Sequence, residues 1–194
     1  VRLAPQFFDA WFELACSYKY LFEVTANDDY FIQADKTFLN AARINPTYFS
    51  LWLKWAELLA VEGRIKHDPE MLQMSLQKFE KADAQDPNNA TVLMRWADVL
   101  LSLGTWEERL DYLQEAKEKI LQSLRNASDN IQAWWVYGNA LIELGNYFDH
   151  EEYYREAIKK FEYGLCLNDQ YPYFWVGLGS AHFSLGEIHG DIKY

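Results

Sequence analysis

Large and small residues of this chain recur at a fixed interval of 41 positions, and such a pattern confines a chain to folds built from stacked copies of one unit. Trp11, Trp52, Trp134 and Trp175 stand 41, 82 and 41 residues apart, and Leu93 fills the vacant place. Leu14, Trp55, Trp96, Tyr137 and Leu178 form a bulky column at the same interval. Ala15, Ala56, Ala97, Gly138 and Gly179 form a small one beside it. Later in each unit run Ala34, Ser75, Ala116 and Ala157, then Phe38, Phe79, Ile120 and Phe161, then Ala41, Ala82, Ser123 and Gly164.

The spacing inside a unit is helical. Trp11, Leu14, Ala15 and Tyr18 lie on one face of a first helix, and Ala34, Phe38 and Ala41 on one face of a second. Small residues let two helices approach, and large ones fill the space beside them. One such hairpin cannot bury both faces, so neighbours must stack. Gly63, Gly104, Gly145 and Gly186 are expected to close first helices, with Phe22 in that place in the first unit. Pro46 and Pro87 close two units, where Ser128 and Asp169 stand later. Asp28, Asp68, Thr105 and Asp149 are expected to cap second helices. Thr105 and Asp149 each have a glutamate three residues on, Glu108 and Glu152, as a capping box would. The pattern predicts helix pairs near 6–22 and 29–44, 48–62 and 69–85, 89–103 and 106–126, 131–144 and 150–167. A single helix follows near 172–185.

Composition excludes several function classes. A net charge of −11 repels nucleic acid unless a basic patch overrides it. The densest basic spot, Lys159-Lys160, is flanked by Glu156 and Glu162. No apolar run approaches the roughly 18 residues of a membrane helix, so no insertion is expected. Two cysteines far apart, Cys16 and Cys166, suit a reducing, cytoplasmic setting better than a disulfide scaffold. Asn89-Ala90-Thr91 and Asn126-Ala127-Ser128 match the glycosylation sequon, but both fall at helix ends, where capping explains them. None of His67, His150, His182 and His189 has a metal-ligand partner at helical spacing. Gly177-Leu178-Gly179 lies in a helix pattern, not a phosphate loop. Glu107-Glu108 and Glu151-Glu152 suit helix first turns. Hence no catalytic residue, metal or cofactor is expected, and the chain reads as a non-enzyme.

Trp134, Tyr137-Gly138, Gly145, Tyr147, Ala157, Phe161, Gly164 and Asp169 follow the order of the tetratricopeptide repeat, and the chain resembles that family throughout. The departure is length. Each unit has seven extra residues, about two helical turns, between the glycine column and the second-helix alanine column. The resemblance implies an all-α fold, a right-handed α-solenoid of antiparallel helix pairs. It is read as a single repeat domain over 1–194, with repeats near 5–46, 47–87, 88–128 and 129–169 and a partial fifth at 170–194. Trp52-Leu53-Lys54-Trp55-Ala56-Glu57 also looks like the half-a-tetratricopeptide repeat of RNA-processing scaffolds, a second reading. The chain opens on Val1 and its fifth unit holds a first helix without a second. Further repeats or another chain are therefore expected to cover the last helix.

In proteins of this resemblance, first helices line a concave groove. Mapped onto this chain, the groove columns are Phe12, Leu53, Met94, Trp135 and Val176; then Cys16, Glu57, Asp98, Asn139 and Ser180; then Lys19, Ala60, Leu101, Ile142 and Phe183. The carboxylate-clamp version, which grips acidic tails with Lys, Arg and Asn, is not matched: Lys19 and Arg95 are isolated and Asn139 is the only matching Asn. Apolar side chains beside Glu57 and Asp98 suit instead an apolar segment carrying a basic residue. The candidate partner-binding residues are therefore Phe12, Leu53, Glu57, Met94, Asp98, Trp135, Asn139 and Val176. The competing reading is that the apolar column packs against the next unit and never meets a ligand. The function expected is a protein-interaction scaffold or adaptor. A chaperone for a secreted or membrane protein, or a non-catalytic arm of an enzyme, are the alternatives.

Overall fold

The structure, a computed structural model, describes residues 7–189, and nine helices account for nearly all of them. They fall into two compact units, divided between Pro87 and Asn88. The first unit holds α1 (Phe8–Thr25), α2 (Asp28–Ile44), α3 (Phe49–Lys66) and α4 (Pro69–Gln85). The second holds α5 (Ala90–Trp106), α6 (Leu110–Asn126), α7 (Ile131–Phe148), α8 (Glu151–Leu167) and α9 (Pro172–His189). Each unit stacks hairpins of the tetratricopeptide type. No described helix is long and apolar enough to cross a membrane.

The period is visible in the chemistry of the helices. Trp52 Nε1 donates to the Pro46 carbonyl at 2.7 Å, and Trp134 Nε1 donates to the Ser128 carbonyl at 2.8 Å. Each tryptophan thus ties its helix to the loop six residues back. Ala15, Ala34, Ala56, Phe38, Phe79, Ala97, Ala116, Ile120, Ala157 and Phe161 are all essentially inaccessible to solvent. One further column, Lys78, Lys119 and Lys160, keeps the same 41-residue interval, and its role appears in space. Lys78 lies 4.2 Å from the Trp55 ring, Lys119 3.7 Å from Trp96, and Lys160 5.2 Å from Tyr137. A cation on the second helix therefore covers an aromatic face of the first in three successive repeats.

The glycine column has another role than the one its spacing suggested. Gly63, Gly104 and Gly145 lie inside α3, α5 and α7, which run on to Lys66, Trp106 and Phe148. A Cβ there would meet Leu72, Leu113 and Tyr154 at 2.6, 2.6 and 2.7 Å. The glycines admit the second helix rather than end the first. Their carbonyls also close the turn, accepting from Asp68 N (2.8 Å), Arg109 N (2.9 Å) and His150 N (3.2 Å). The turn itself is reversed by Ala26, His67, Glu108 and Asp149, each with φ near +50°. These four stand 41 residues apart, and none is Gly or Asn, so sequence offered no sign of them.

Two of the expected caps fail for the same reason. Thr105 lies within α5 and its hydroxyl donates back to the Leu101 carbonyl. Asp149 is the left-handed residue that ends α7. No capping box forms at either place, and Arg109 and His150 precede α6 and α8 without a side-chain cap. Asn27, not Asp28, caps α2. Asp68 caps α4 as expected, accepting from Glu70 N and Met71 N. Asn89 likewise caps α5, whereas Asn126 ends α6 and donates its amide to the Asn88 carbonyl.

Candidate partner-binding face

In the second unit the first helices α5, α7 and α9 lie side by side, α7 touching both others. The apolar column on them, Met94, Trp135 and Val176, grades from inside to outside. Met94 is only 3% exposed, Trp135 is half-buried and Val176 is 66% exposed. The third column does the same: Leu101 and Ile142 are buried, while Phe183 is exposed. Asp98 and Asn139 are half-buried between them. What α7 and α9 leave open is aromatic. Trp135 meets Tyr173 with ring centroids 5.7 Å apart, and Tyr173 meets Tyr171 at 5.2 Å. Tyr171 in turn packs on Phe174 at 5.1 Å, and Phe174 is fully buried against Phe161. The platform is thus rooted in the core through Phe174 and open at Trp135 and Tyr173. Burial pushes the Tyr171 hydroxyl above its ordinary value; Tyr173 and Asp98 act the same way and Arg95 opposes them. Asp98 and Arg95 therefore both act on the edge of the platform.

In the first unit the equivalent first-helix position holds Phe12, half-buried and stacked on Phe8 at 5.9 Å. Its edge meets Tyr48 at 5.2 Å. Leu53 is only 7% exposed and packs inside. The charged residues of this unit serve each other. Glu57 lies 3.0 Å from Lys54 and 3.3 Å from Lys19, and Lys19 lies 2.6 Å from Glu23. Cys16 sits beside this network. Burial, reinforced by Glu13, pushes its thiol up to about 11, so it is a poor nucleophile at neutral pH.

The structure therefore brings Phe12 to Tyr48, Glu57 to Lys19 and Lys54, and Trp135 to Tyr173, while Leu53 and Met94 face the interior. Tyr48, Tyr171 and Tyr173 were missed by the groove columns because they lie in or just after the inter-repeat turns. A readable signal existed, since Tyr48 and Tyr171 share the 41-residue register. Glu143, two turns along α7 from Trp135, also lies outside the groove columns. Burial lifts its carboxyl above the ordinary carboxylate range, against the opposing hydrogen bond from Asn146 Nδ2 at 3.2 Å. Among the described residues no group of His, Cys, Asp and Glu could hold a metal ion.

The family model described as plant specific mitochondrial import receptor subunit TOM20 matches residues 70–171. No curated protein matches the sequence. Among solved structures, pilF of Pseudomonas aeruginosa is 19% identical, with a TM-score of 0.62 over 92% of this chain and 72% of that one. A tetratricopeptide repeat protein from Parabacteroides merdae is 20% identical, with a TM-score of 0.60 over 94% of this chain and 61% of that one. MamA from Desulfovibrio magneticus, 14% identical, has a TM-score of 0.58 over 91% and 94%. These structures share the tetratricopeptide fold, and the likeness is one of fold alone.

Proposed function

The chain belongs to the family of the plant specific mitochondrial import receptor subunit TOM20, and on that footing we propose that it is a receptor domain for the targeting segments of proteins bound for mitochondria. The family and the fold are of a non-enzymatic, protein-interaction type. Mitochondrial targeting segments are amphipathic, rich in arginine and poor in acidic residues. A receptor for them needs an apolar surface that excludes water and an acidic field around it. The chain has the field, with a net charge of −11, which speeds encounter with cationic segments. The observation that carries the reading is the platform of Trp135 and Tyr173, continued along α9 by exposed Val176 and Phe183. Aromatic side chains rooted in a core and open on one face are what an amphipathic helix docks on. On this reading the domain works at the mitochondrial surface, facing the cytoplasm.

The expected partner was an apolar segment with a basic residue, recognised by Glu57 and Asp98. Glu57 is held by two lysines of its own chain, so recognition is assigned here to the second unit. The test is a fluorescence-anisotropy titration with a labelled amphipathic, arginine-bearing peptide. Trp135→Ala and Tyr173→Ala should each weaken binding about tenfold, or about 1.4 kcal/mol. If both variants melt like the parent and bind the peptide unchanged, the proposal is wrong.

A further inference from the structure

Position 143 breaks the repeat. Its equivalents 41 and 82 residues earlier are Ser102 and Val61, whereas α7 carries Glu143. The break is supported from the core outward. The Tyr154 hydroxyl, on a ring buried against Gly145, donates to Asn146 Oδ1 at 2.8 Å. Asn146 Nδ2 then donates to Glu143 Oε2 at 3.2 Å. The carboxylate so held borders a cleft of about 440 Å³, lined also by Glu108, Thr105, Asn146 and Tyr147. Among the described residues, two carboxylates and a half-exposed phenol ring line this cleft, and no lysine, arginine or histidine does.

Its place on the helix gives the cleft a meaning. Trp135, Asn139 and Glu143 follow at i, i+4 and i+8 and share one face of α7. At 1.5 Å per residue, Glu143 lies about 12 Å along the axis from Trp135. A ligand helix lying along α7 spans that distance in about eight residues. Side chains eight apart on such a ligand share a face as well.

We infer that the Glu108–Glu143 cleft receives the guanidinium of an arginine, seven or eight residues from the apolar side chain that docks on Trp135 and Tyr173. The inference rests on the receptor reading above and specifies what that site selects: an amphipathic helix with an apolar anchor at one end and an arginine two turns away on the same face. Arginine suits the cleft better than lysine. Its planar group satisfies two carboxylates and stacks on Tyr147.

The experiment uses the full chain and two labelled amphipathic peptides, identical but for arginine or glutamine eight residues from a leucine anchor. Each pair is made with the arginine on either side of the anchor, which covers both ligand directions. Binding is measured at low salt to the parent, to a Glu108→Gln/Glu143→Gln variant, and to Trp135→Ala. For one ligand direction, the arginine peptide should bind the parent about tenfold more tightly than its glutamine partner. The carboxamide variant should erase that difference and leave the affinity of the glutamine peptide unchanged. Trp135→Ala should weaken both peptides alike. If the arginine advantage is as large in the carboxamide variant as in the parent, the cleft is not the arginine site, even where Trp135→Ala shows the platform to be real. If Trp135→Ala changes nothing, the receptor site itself is misplaced and this inference falls with it.

Discussion

Gly138 and Gly179 occupy one column of the repeat, yet alanine at the two positions should move stability in opposite directions. A Cβ on Gly138 would lie 2.2 Å from Cε1 and 2.4 Å from Cζ of Phe161. Comfortable carbon contacts begin near about 3.5 Å, so α7 and α8 would have to part by about 1 Å or the ring would have to turn. It has nowhere to go. A Cβ on Gly177 would stand 2.5 Å from Cζ of the same ring, which is fully buried. Overpacking of this kind costs about 1–3 kcal/mol, and a contact this short belongs at the upper end. The better helix propensity of alanine returns about 1 kcal/mol. The net expectation for Gly138→Ala is a loss of about 2 kcal/mol, or about 4–8 °C in melting temperature for a chain of this size. A Cβ on Gly179 would meet nothing within 4 Å, so propensity acts alone and Gly179→Ala should gain about 1 kcal/mol. Thermal melts followed by circular dichroism read both. Adding Phe161→Ile to Gly138→Ala recreates the Ala97 and Ile120 combination of the preceding repeat and should restore about half of the loss. A Gly138→Ala protein as stable as the parent, or a double variant with no rescue, would refute the picture of Phe161 pinned between glycines.

Other consequences follow from single residues. Ala26 holds φ of 50° at the turn after α1; Ala26→Gly should stabilise by about 0.5–1 kcal/mol in urea melts, since the strain relieved exceeds the added chain entropy, and a loss of stability would count against the left-handed turn. Cys16, at about 11 against an ordinary 9.0, should carry about a hundredfold less thiolate than an unperturbed thiol. Iodoacetamide near neutral pH should therefore label exposed Cys166 first by mass spectrometry, and equal rates would contradict the burial of Cys16. The Glu143 carboxyl has a raised folded-state value, so the fold binds its proton more tightly than the unfolded chain does. Its charge therefore opposes folding above that value, and the opposition fades as pH falls through it. The gap in stability between parent and Glu143→Gln should shrink accordingly, and a gap independent of pH between 4 and 7 would show that Glu143 is not desolvated.

What the sequence revealed and what it hid divide along physical lines. Columns that pack are legible because burial constrains residue size at every repeat: Phe38, Phe79, Ile120 and Phe161 had to be large, and Ala34, Ser75, Ala116 and Ala157 small. Helix existence followed from that, and eight of the nine observed helices begin within two residues of the predicted start; the exception is α6, which starts at Leu110 because Thr105 lies within α5 instead of capping α6. The ends of the second helices followed too, at Ile44, Gln85, Asn126 and Leu167, whereas the first helices α1, α3, α5 and α7 run three or four residues past their expected ends, because the glycine column serves close approach rather than termination. The reversing residues Ala26, His67, Glu108 and Asp149 share a backbone state and no side-chain property, so spacing alone could not find them. Charge was the least legible. Glu57 and Asp98 occupy one column, but Lys19 and Lys54 reach Glu57 through neighbours that no single column displays.

The same division locates function. A repeat that packs on its neighbours must keep its contact residues in phase, because each hairpin meets the same surface in the next. Positions free of that demand are free to differ, and only there can one place along the stack recognise something the others do not. Trp135 and Glu143 meet this condition on α7: their equivalents on α5 are Met94, which is buried, and Ser102, which carries no charge. Asn146 and Tyr154 then explain how an out-of-phase carboxylate is held in a set direction without disturbing the periodic core, since Tyr154 fills the notch above Gly145 that Leu72 and Leu113 fill above Gly63 and Gly104. One substitution in a packing column, tyrosine for leucine, fills the same notch with a larger ring and adds a hydroxyl. That hydroxyl, through Asn146, turns a structural contact into support for a recognition residue.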